Sequence, residues 1–146
     1  MNKFAVFDID GTLIRWQLFH AVANKLAQLG HLPEDSWSEI QEARMRWKRR
    51  ETDDAFHDYE NKLIELFEKS LKQIAPEIVE EVVKEVAEEY KSQVYVYTRE
   101  LASSLKNKGY KLIAISGSSE DIVGYVARNY GFDLWVGSNY GKDDCG

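Results

Sequence analysis

The stretch FDIDGTL, residues 7–13, decides the fold. The apolar run at residues 4–7, which overlaps its first residue, is too short for a helix and predicts a short buried strand. Asp8 and Asp10 stand two residues apart where this strand should end. In extended backbone both carboxylates therefore point to the same side. Such a pair repels itself unless a cation or a shared proton offsets the repulsion. Gly11 follows directly and predicts a sharp turn or a close approach of the backbone.

The composition is that of an ordinary globular protein. A chain of 146 residues suits one domain, or one small core that carries an insertion. The net charge of −6 and the pI near 5.1 argue against binding to nucleic acid or to an anionic membrane. Cys145 is the single cysteine, so an internal disulfide is excluded and a reducing compartment fits. We therefore expect a cytoplasmic protein without a nucleic-acid or membrane partner.

Helical periodicity replaces the strand pattern over residues 15–90. Apolar residues recur there at intervals of three and four in successive segments, and Gly30, Pro33 and Pro76 mark the boundaries. The apolar stripes are formed by Leu18, Phe19, Val22, Leu26 and Leu29; by Ile40, Ala43 and Trp47; by Leu63, Leu66, Phe67, Leu71 and Ile74; and by Val79, Val82, Val83, Val86 and Tyr90. The pattern predicts an all-helical subdomain.

Strands and helices alternate in the rest of the chain. The pattern predicts a helix at residues 97–106, a strand at 111–116, a helix at 121–130 and a strand at 132–138. Together with the first strand this order implies a parallel sheet with right-handed crossovers. We therefore predict an α/β protein with a Rossmann-like core made of residues 1–14 and 91–146. An all-helical cap, residues 15–90, is inserted into that core.

The second predicted strand runs into ISGSS, residues 115–119. Because ligands bind beyond the carboxyl ends of parallel strands, this segment is expected beside the two aspartates. Ser116 offers a hydroxyl, Gly117 lets backbone N–H groups approach a ligand, and Ser118 or Ser119 can cap the next helix, whose N-terminus favours anions. A carboxylate pair facing a phosphate site needs a bridging divalent cation. Oxygen ligands of this kind suit Mg²⁺.

FDIDGTL resembles the first motif, DxDGT, of the haloacid dehalogenase superfamily, and ISGSS resembles its second motif. The helical segment after the first motif is similar to the cap of the branch that contains phosphoserine phosphatase. The resemblance implies that Asp8 attacks phosphorus to form an aspartyl-phosphate, while Asp10 protonates the leaving oxygen and later activates water. It also implies that Asp8 and the Asp10 carbonyl hold Mg²⁺, and that Ser116 and the Gly117 N–H bind the phosphoryl group.

Further candidates concern the small phosphorylated substrate. The Thr12 hydroxyl bonds either the loop that carries Asp8, where it would contact the phosphate of the substrate, or its own backbone. Gln17 lies nine residues after the first aspartate, where phosphoserine phosphatases carry a glutamate that contacts the substrate's ammonium. A neutral amide loses that charge-assisted contact, which argues against free phosphoserine. The basic run at residues 44–50 is either a solvated helix face balanced by nearby acids, or it places Arg44 or Arg46 against an anionic substrate group.

The superfamily's two other motifs, a lysine and an acidic pair, are not placed by the sequence. Lys142, Asp143 and Asp144 have the right side chains, but we reject them because the acidic pair belongs on a further strand and a crossover needs about ten or more residues. We therefore expect this chain to be the front part of a longer protein. Its sheet would then have an open edge through which the chain self-associates.

Two other functions stay open at this point. One is a non-catalytic domain that binds phosphate or a partner through the same segment, and the other is a phosphotransferase that passes the phosphoryl group to another acceptor. The presence of both Asp8 and Asp10 favours an enzyme over a binding module, because binding requires neither a nucleophile nor an acid.

Overall fold

The computed structural model describes residues 3–33 and 35–139 as an α/β protein. Its elements in chain order are β1 (Lys3–Asp8), α1 (Leu18–Gln28), α2 (Ser36–Lys48), α3 (Ala55–Leu71), α4 (Pro76–Tyr90), α5 (Val96–Asn107), β2 (Tyr110–Ser119), α6 (Glu120–Asn129) and β3 (Leu134–Ser138). The predicted α/β class with a parallel sheet is confirmed. Of the helices that the structure describes, none has the length and apolar character needed to span a bilayer.

The chain divides into two compact units. One consists of Met1–Phe19 with Val83–Gly146, and the other is His20–Val82. The boundaries of these units fall inside α1 and α4. The limits predicted for the core and the cap, with the cap at residues 15–90, stay a prediction.

The sheet of the first unit has the strand order β1-β2-β3, with β2 in the middle and all strands parallel. The pairing of β1 with β2 runs from Lys3 opposite Tyr110 to Asp8 opposite Ile115. β3 pairs with the other side of β2, and the register shifts between Ile115 and Ser119. This register brings the carboxyl ends of β1 and β2 to the same end of the sheet, where the two sequence motifs are.

One face of the sheet carries the core of this unit. Phe7, Leu112 and Ala114 are buried on it, and the Phe7 ring meets the Phe132 ring edge-on at 5.6 Å between centroids. α5 packs against β2, and α6 packs against β2 and β3. The buried apolar side chains of α6 are Ile122, Val123, Val126 and Ala127. Burial of this stripe fixes α6, and with it the end of β2.

The opposite face of the sheet is apolar and exposed. The side chains of Phe4, Val6, Ile115, Leu134 and Val136 alternate with the buried positions and are between 46% and 59% exposed. Among the described residues, β1 also has β2 as its only strand partner, which leaves its outer edge open. Parallel sheets are normally covered on both faces, and an exposed apolar patch of this kind favours association.

We predict that residues 1–146, expressed alone, associate in solution because covering this sheet face removes apolar surface from water. Leu134→Lys should weaken the association, while Leu29→Lys should leave it unchanged, since Leu29 is a similarly exposed leucine outside the sheet. Sedimentation equilibrium over a range of concentrations measures the effect. A monomer at all concentrations would contradict the prediction.

The second unit consists of helical segments packed around aromatic side chains. Tyr59 is fully buried, and its ring stacks on Trp47 at 5.6 Å and meets His20 edge-on at 5.2 Å. Leu63 and Phe67 extend this core along α3. The described regular elements between residues 18 and 90 are all helices, in keeping with the predicted helical pattern.

Asp133 joins the start of β3 to β2. The Leu112 N–H donates to Asp133 Oδ2 at 2.9 Å, and the Asp133 N–H donates to the Leu112 carbonyl at 2.9 Å. Lys111 Nζ lies 3.5 Å and Lys106 Nζ 4.0 Å from Asp133 Oδ1. The hydrogen bond from Leu112, followed by these lysine charges, lowers the pKa of Asp133 below its ordinary value of 3.8.

A lowered pKa in the folded state makes the Asp133 carboxylate stabilising above pH 3.8, and this stabilisation is lost as the pH falls through the folded-state pKa. Asp133→Asn should therefore lower the free energy of unfolding at neutral pH, and the deficit should shrink below pH 3.8. Urea unfolding at a series of pH values measures it, with the exposed Asp53→Asn as the control. A deficit that does not change with pH would contradict this role.

Candidate active site

Asp8 ends β1 with its carboxylate exposed beyond the sheet. The Thr12 hydroxyl donates to Asp8 Oδ2 at 2.5 Å. Ile9, between the two aspartates, is fully buried, and its carbonyl accepts the N–H of Ile14 at 2.9 Å. The buried isoleucine anchors a tight loop from which both acidic side chains project. The Thr12 hydroxyl thus bonds the loop that contains Asp8, and its contact with phosphate stays a prediction.

Gly11 makes this loop possible. Its φ of +75° lies in the left-handed region, where other residues are strained. A Cβ added at Gly11 would lie 3.8 Å from Gln17 Nε2. The amide of Gln17 is therefore beside the turn that carries Asp8 and Asp10.

Asp10 is held by three donors. The Leu18 N–H donates to Oδ1 at 2.5 Å, the Ser118 hydroxyl donates to Oδ2 at 2.9 Å, and the Ser116 hydroxyl also donates to Oδ2. Leu18 is the first residue of α1, so the carboxylate satisfies one of the N–H groups that a helix start leaves unpaired. A negative charge is favourable at this end of a helix. Asp10 is thus the fixed member of the pair, and Asp8 is the exposed one.

Ser118 occupies a place that the sequence did not predict. The sequence predicts Ser118 or Ser119 as the cap of α6; Ser119 is the N-cap residue, and its side chain makes no capping bond. The Ser118 hydroxyl instead accepts the Phe19 N–H at 3.0 Å, on α1. The reason is that β2 continues to Ser119, which pairs with Ser138, so Ser116 and Ser118 share one face of the strand. The i, i+2 spacing of Ser116 and Ser118 was the sequence signal that could have predicted this shared face.

Gly117 lies in open space at the end of β2. A Cβ added there would have no atom within 4 Å among the described residues. The Gly117 carbonyl accepts the Ser138 hydroxyl at 2.7 Å, which ties this point to β3. A Cβ at Gly137, by contrast, would meet the Glu120 backbone at 2.6 Å, so this glycine lets β3 approach the start of α6. The space around Gly117 suits a bound group, and its contact with phosphate stays a prediction.

The predicted metal ligands are oxygen donors. The exposed Asp8 carboxylate and the Asp10 main-chain carbonyl fit Mg²⁺ in kind. Within residues 3–33 and 35–139, no group of three or more His, Cys, Asp or Glu side chains could hold a metal ion. Binding of Mg²⁺ by Asp8 and Asp10 stays a prediction. The rejected Lys142, Asp143 and Asp144 lie outside the described residues.

The arginines predicted for substrate binding are on α2, in the second unit. Arg46 Nε lies 3.6 Å and Arg49 Nη1 3.5 Å from the carboxylate of Glu51. Both arginine side chains are largely exposed, as the alternative of a balanced, solvated helix face expects. Substrate binding by Arg44 or Arg46 stays a prediction.

The motifs and their geometry agree with a comparison against protein families. Residues 3–146 match the model described as haloacid dehalogenase-like hydrolase. The chain belongs to this family. The match covers nearly the whole chain and confirms the resemblance seen in FDIDGTL and ISGSS.

Three solved structures share the fold of this chain. A Bordetella pertussis Tohama I protein of unknown function is 16% identical with a TM-score of 0.72, over 99% of this chain and 63% of that one. A phosphoserine phosphatase in apo form is 18% identical with a TM-score of 0.59, over 99% and 58%. A phosphoserine phosphohydrolase-like protein from Francisella tularensis subsp. tularensis is 18% identical with a TM-score of 0.53, over 98% and 62%. This chain thus spans less than two thirds of each. No curated protein sequence matches it.

The two aspartates should differ in what they contribute to stability. Asp10→Ala leaves three donors without their acceptor and should lower the free energy of unfolding by about 1–3 kcal/mol. Asp8→Ala removes an exposed carboxylate and should change it by less than about 0.5 kcal/mol. Denaturant unfolding of both variants measures the difference. Equal losses would contradict the assignment of Asp10 as the fixed member of the pair.

Proposed function

We propose that this protein is a Mg²⁺-dependent phosphomonoester hydrolase that forms an aspartyl-phosphate on Asp8. One observation supports this most strongly: two aspartates at one strand tip have different surroundings. Asp8 is exposed and has the Thr12 hydroxyl on one oxygen, while Asp10 is held by three donors. Paired carboxylates with different environments are typical of sites that divide nucleophile and acid–base roles between them.

In the first half-reaction, an Asp8 oxygen forms a bond to phosphorus as the bond to the ester oxygen breaks. The electron pair of the broken bond stays on the leaving oxygen, which takes a proton from Asp10. In the second half-reaction, Asp10 removes a proton from water, and the water oxygen attacks phosphorus as the bond from phosphorus to the Asp8 oxygen breaks. Inorganic phosphate leaves, and the Asp8 carboxylate is restored.

The remaining residues bind and orient the phosphoryl group. Gly117 has open space where a side chain would be, the Thr12 hydroxyl contacts Asp8, and the Ser116 hydroxyl contacts Asp10. We assign the Gly117 N–H and these two hydroxyls to the phosphoryl oxygens. The Asp8 carboxylate and the Asp10 carbonyl would hold Mg²⁺, whose charge offsets the repulsion between carboxylate and phosphate.

The substrate we propose is a small phosphorylated metabolite other than free phosphoserine. Gln17 Nε2 lies beside the Gly11 turn, and a neutral amide there offers no carboxylate to a substrate ammonium. Arg44 and Arg46 are the candidates for a second anionic group of the substrate. The single cysteine suits a reducing compartment, so we place the reaction in the cytoplasm.

Asp8→Asn should abolish phosphatase activity because the amide is a poor nucleophile of nearly the same size. The test uses the protein encoded by the complete gene, with Mg²⁺ and p-nitrophenyl phosphate, and measures release of inorganic phosphate. Asp53→Asn, on an exposed position of the second unit, is the matched control. Undiminished turnover of Asp8→Asn, or wild-type turnover that persists in excess EDTA, would overturn the proposal. Transfer to an added alcohol in place of water would favour the phosphotransferase.

Asp10→Asn should lower kcat by about 10²–10⁴-fold, the usual contribution of a positioned acid or base. The amide keeps one oxygen as an acceptor, so folding should be less affected than by Asp10→Ala. Steady-state kinetics together with denaturant unfolding separate the two effects. A wild-type rate would assign Asp10 a structural role only.

A further inference from the structure

We propose that Ser118 is a positioning residue that holds Asp10 in the orientation needed for proton transfer to and from the substrate. The inference rests on the proposed function, because it concerns the acid–base step of that reaction. Ser118 lies within ISGSS, but the mechanism that the resemblance implies gives it no role.

Ser118 makes hydrogen bonds to Asp10, Ser116 and Phe19. Its hydroxyl donates to Asp10 Oδ2 at 2.9 Å, and its N–H donates to the Ser116 oxygen at 2.9 Å. Its oxygen also accepts the N–H of Phe19 at 3.0 Å. The side chain is 2% exposed, so water does not compete for these bonds.

The bond from Phe19 fixes the direction of the Ser118 hydroxyl. A serine hydroxyl has one hydrogen and rotates freely unless its oxygen is also engaged. Because a main-chain N–H occupies the acceptor side of the oxygen, the hydrogen is directed towards Asp10. Ser118 is thus a donor held in place by the start of α1.

The three donors to Asp10 fix the orientation of its carboxyl group. The Leu18 N–H belongs to the main chain and holds Oδ1, while the Ser116 and Ser118 hydroxyls hold Oδ2. Ser118 therefore helps to set the position of Oδ2. Without Ser118, this oxygen would keep the Ser116 hydroxyl, a donor that is also assigned to the phosphoryl group.

The test compares two substrates that differ in their need for an acid. An alkyl phosphate must receive a proton as its alkoxide leaves, whereas p-nitrophenolate leaves without one. With the complete protein and Mg²⁺, Ser118→Ala should lower kcat/KM by about tenfold or more for the alkyl phosphate, and by less than about threefold for p-nitrophenyl phosphate. A structural defect alone would lower both values by the same factor.

Two further variants serve as a check and a control. Ser118→Cys keeps the side-chain size with a weaker donor and should show the same selective loss, which covers the case in which Ser118→Ala fails to fold. Ser119→Ala, next to it and without a capping bond, should change neither value.

Equal losses on both substrates, or none, would overturn the role of Ser118 and leave the phosphatase assignment standing. Failure of the wild-type protein to hydrolyse either substrate would overturn the phosphatase assignment and the role of Ser118 together.

Discussion

The Asp10 carboxylate is the interaction on which the site depends. Hydrogen bonds to an ionised group are stronger than neutral ones, and Asp10 receives three of them, from the main chain of Leu18 and from the hydroxyls of Ser116 and Ser118. Removing the carboxylate would leave buried donors unpaired, so the end of β2 and the first turn of α1 both rely on it. The group proposed as acid and base is therefore also a structural anchor.

This double role of Asp10 explains why Asp8 and Asp10, although both are aspartates and only two positions apart, can act differently. Asp8 is the last residue of β1, and its surroundings are open except for Thr12. Asp10 points into the unit, where backbone and serine donors surround it. Ile9, the residue between them, is fully buried.

The helices, the strands and the first motif could be predicted from the sequence because their signals are local. Hydrophobic periodicity gave β1 at residues 4–7, against the observed Lys3–Asp8, and α6 at 121–130, against Glu120–Asn129. Because glycine and serine favour turns locally, the sequence pattern ends the strand at residue 116 and leaves out residues 117–119. They extend β2 instead through the pairing of Ser119 with Ser138. The bond from Phe19 to Ser118 joins residues 99 positions apart, and periodicity carries no information about such partners.

The same long separations determine when the site can form as the chain folds. Asp10 and Ser116 are 106 residues apart, and β1 cannot pair with β2 until the chain between them has been closed into a loop. Contacts within His20–Val82 are closer in sequence and have a smaller entropy of loop closure to overcome. When that helical unit folds first, it shortens the effective loop between β1 and β2. The parallel pairing of these two strands is itself intrinsically slow. β1 is thus among the last elements to find its partner, and the bonds from β2 to Asp10 form only at that stage.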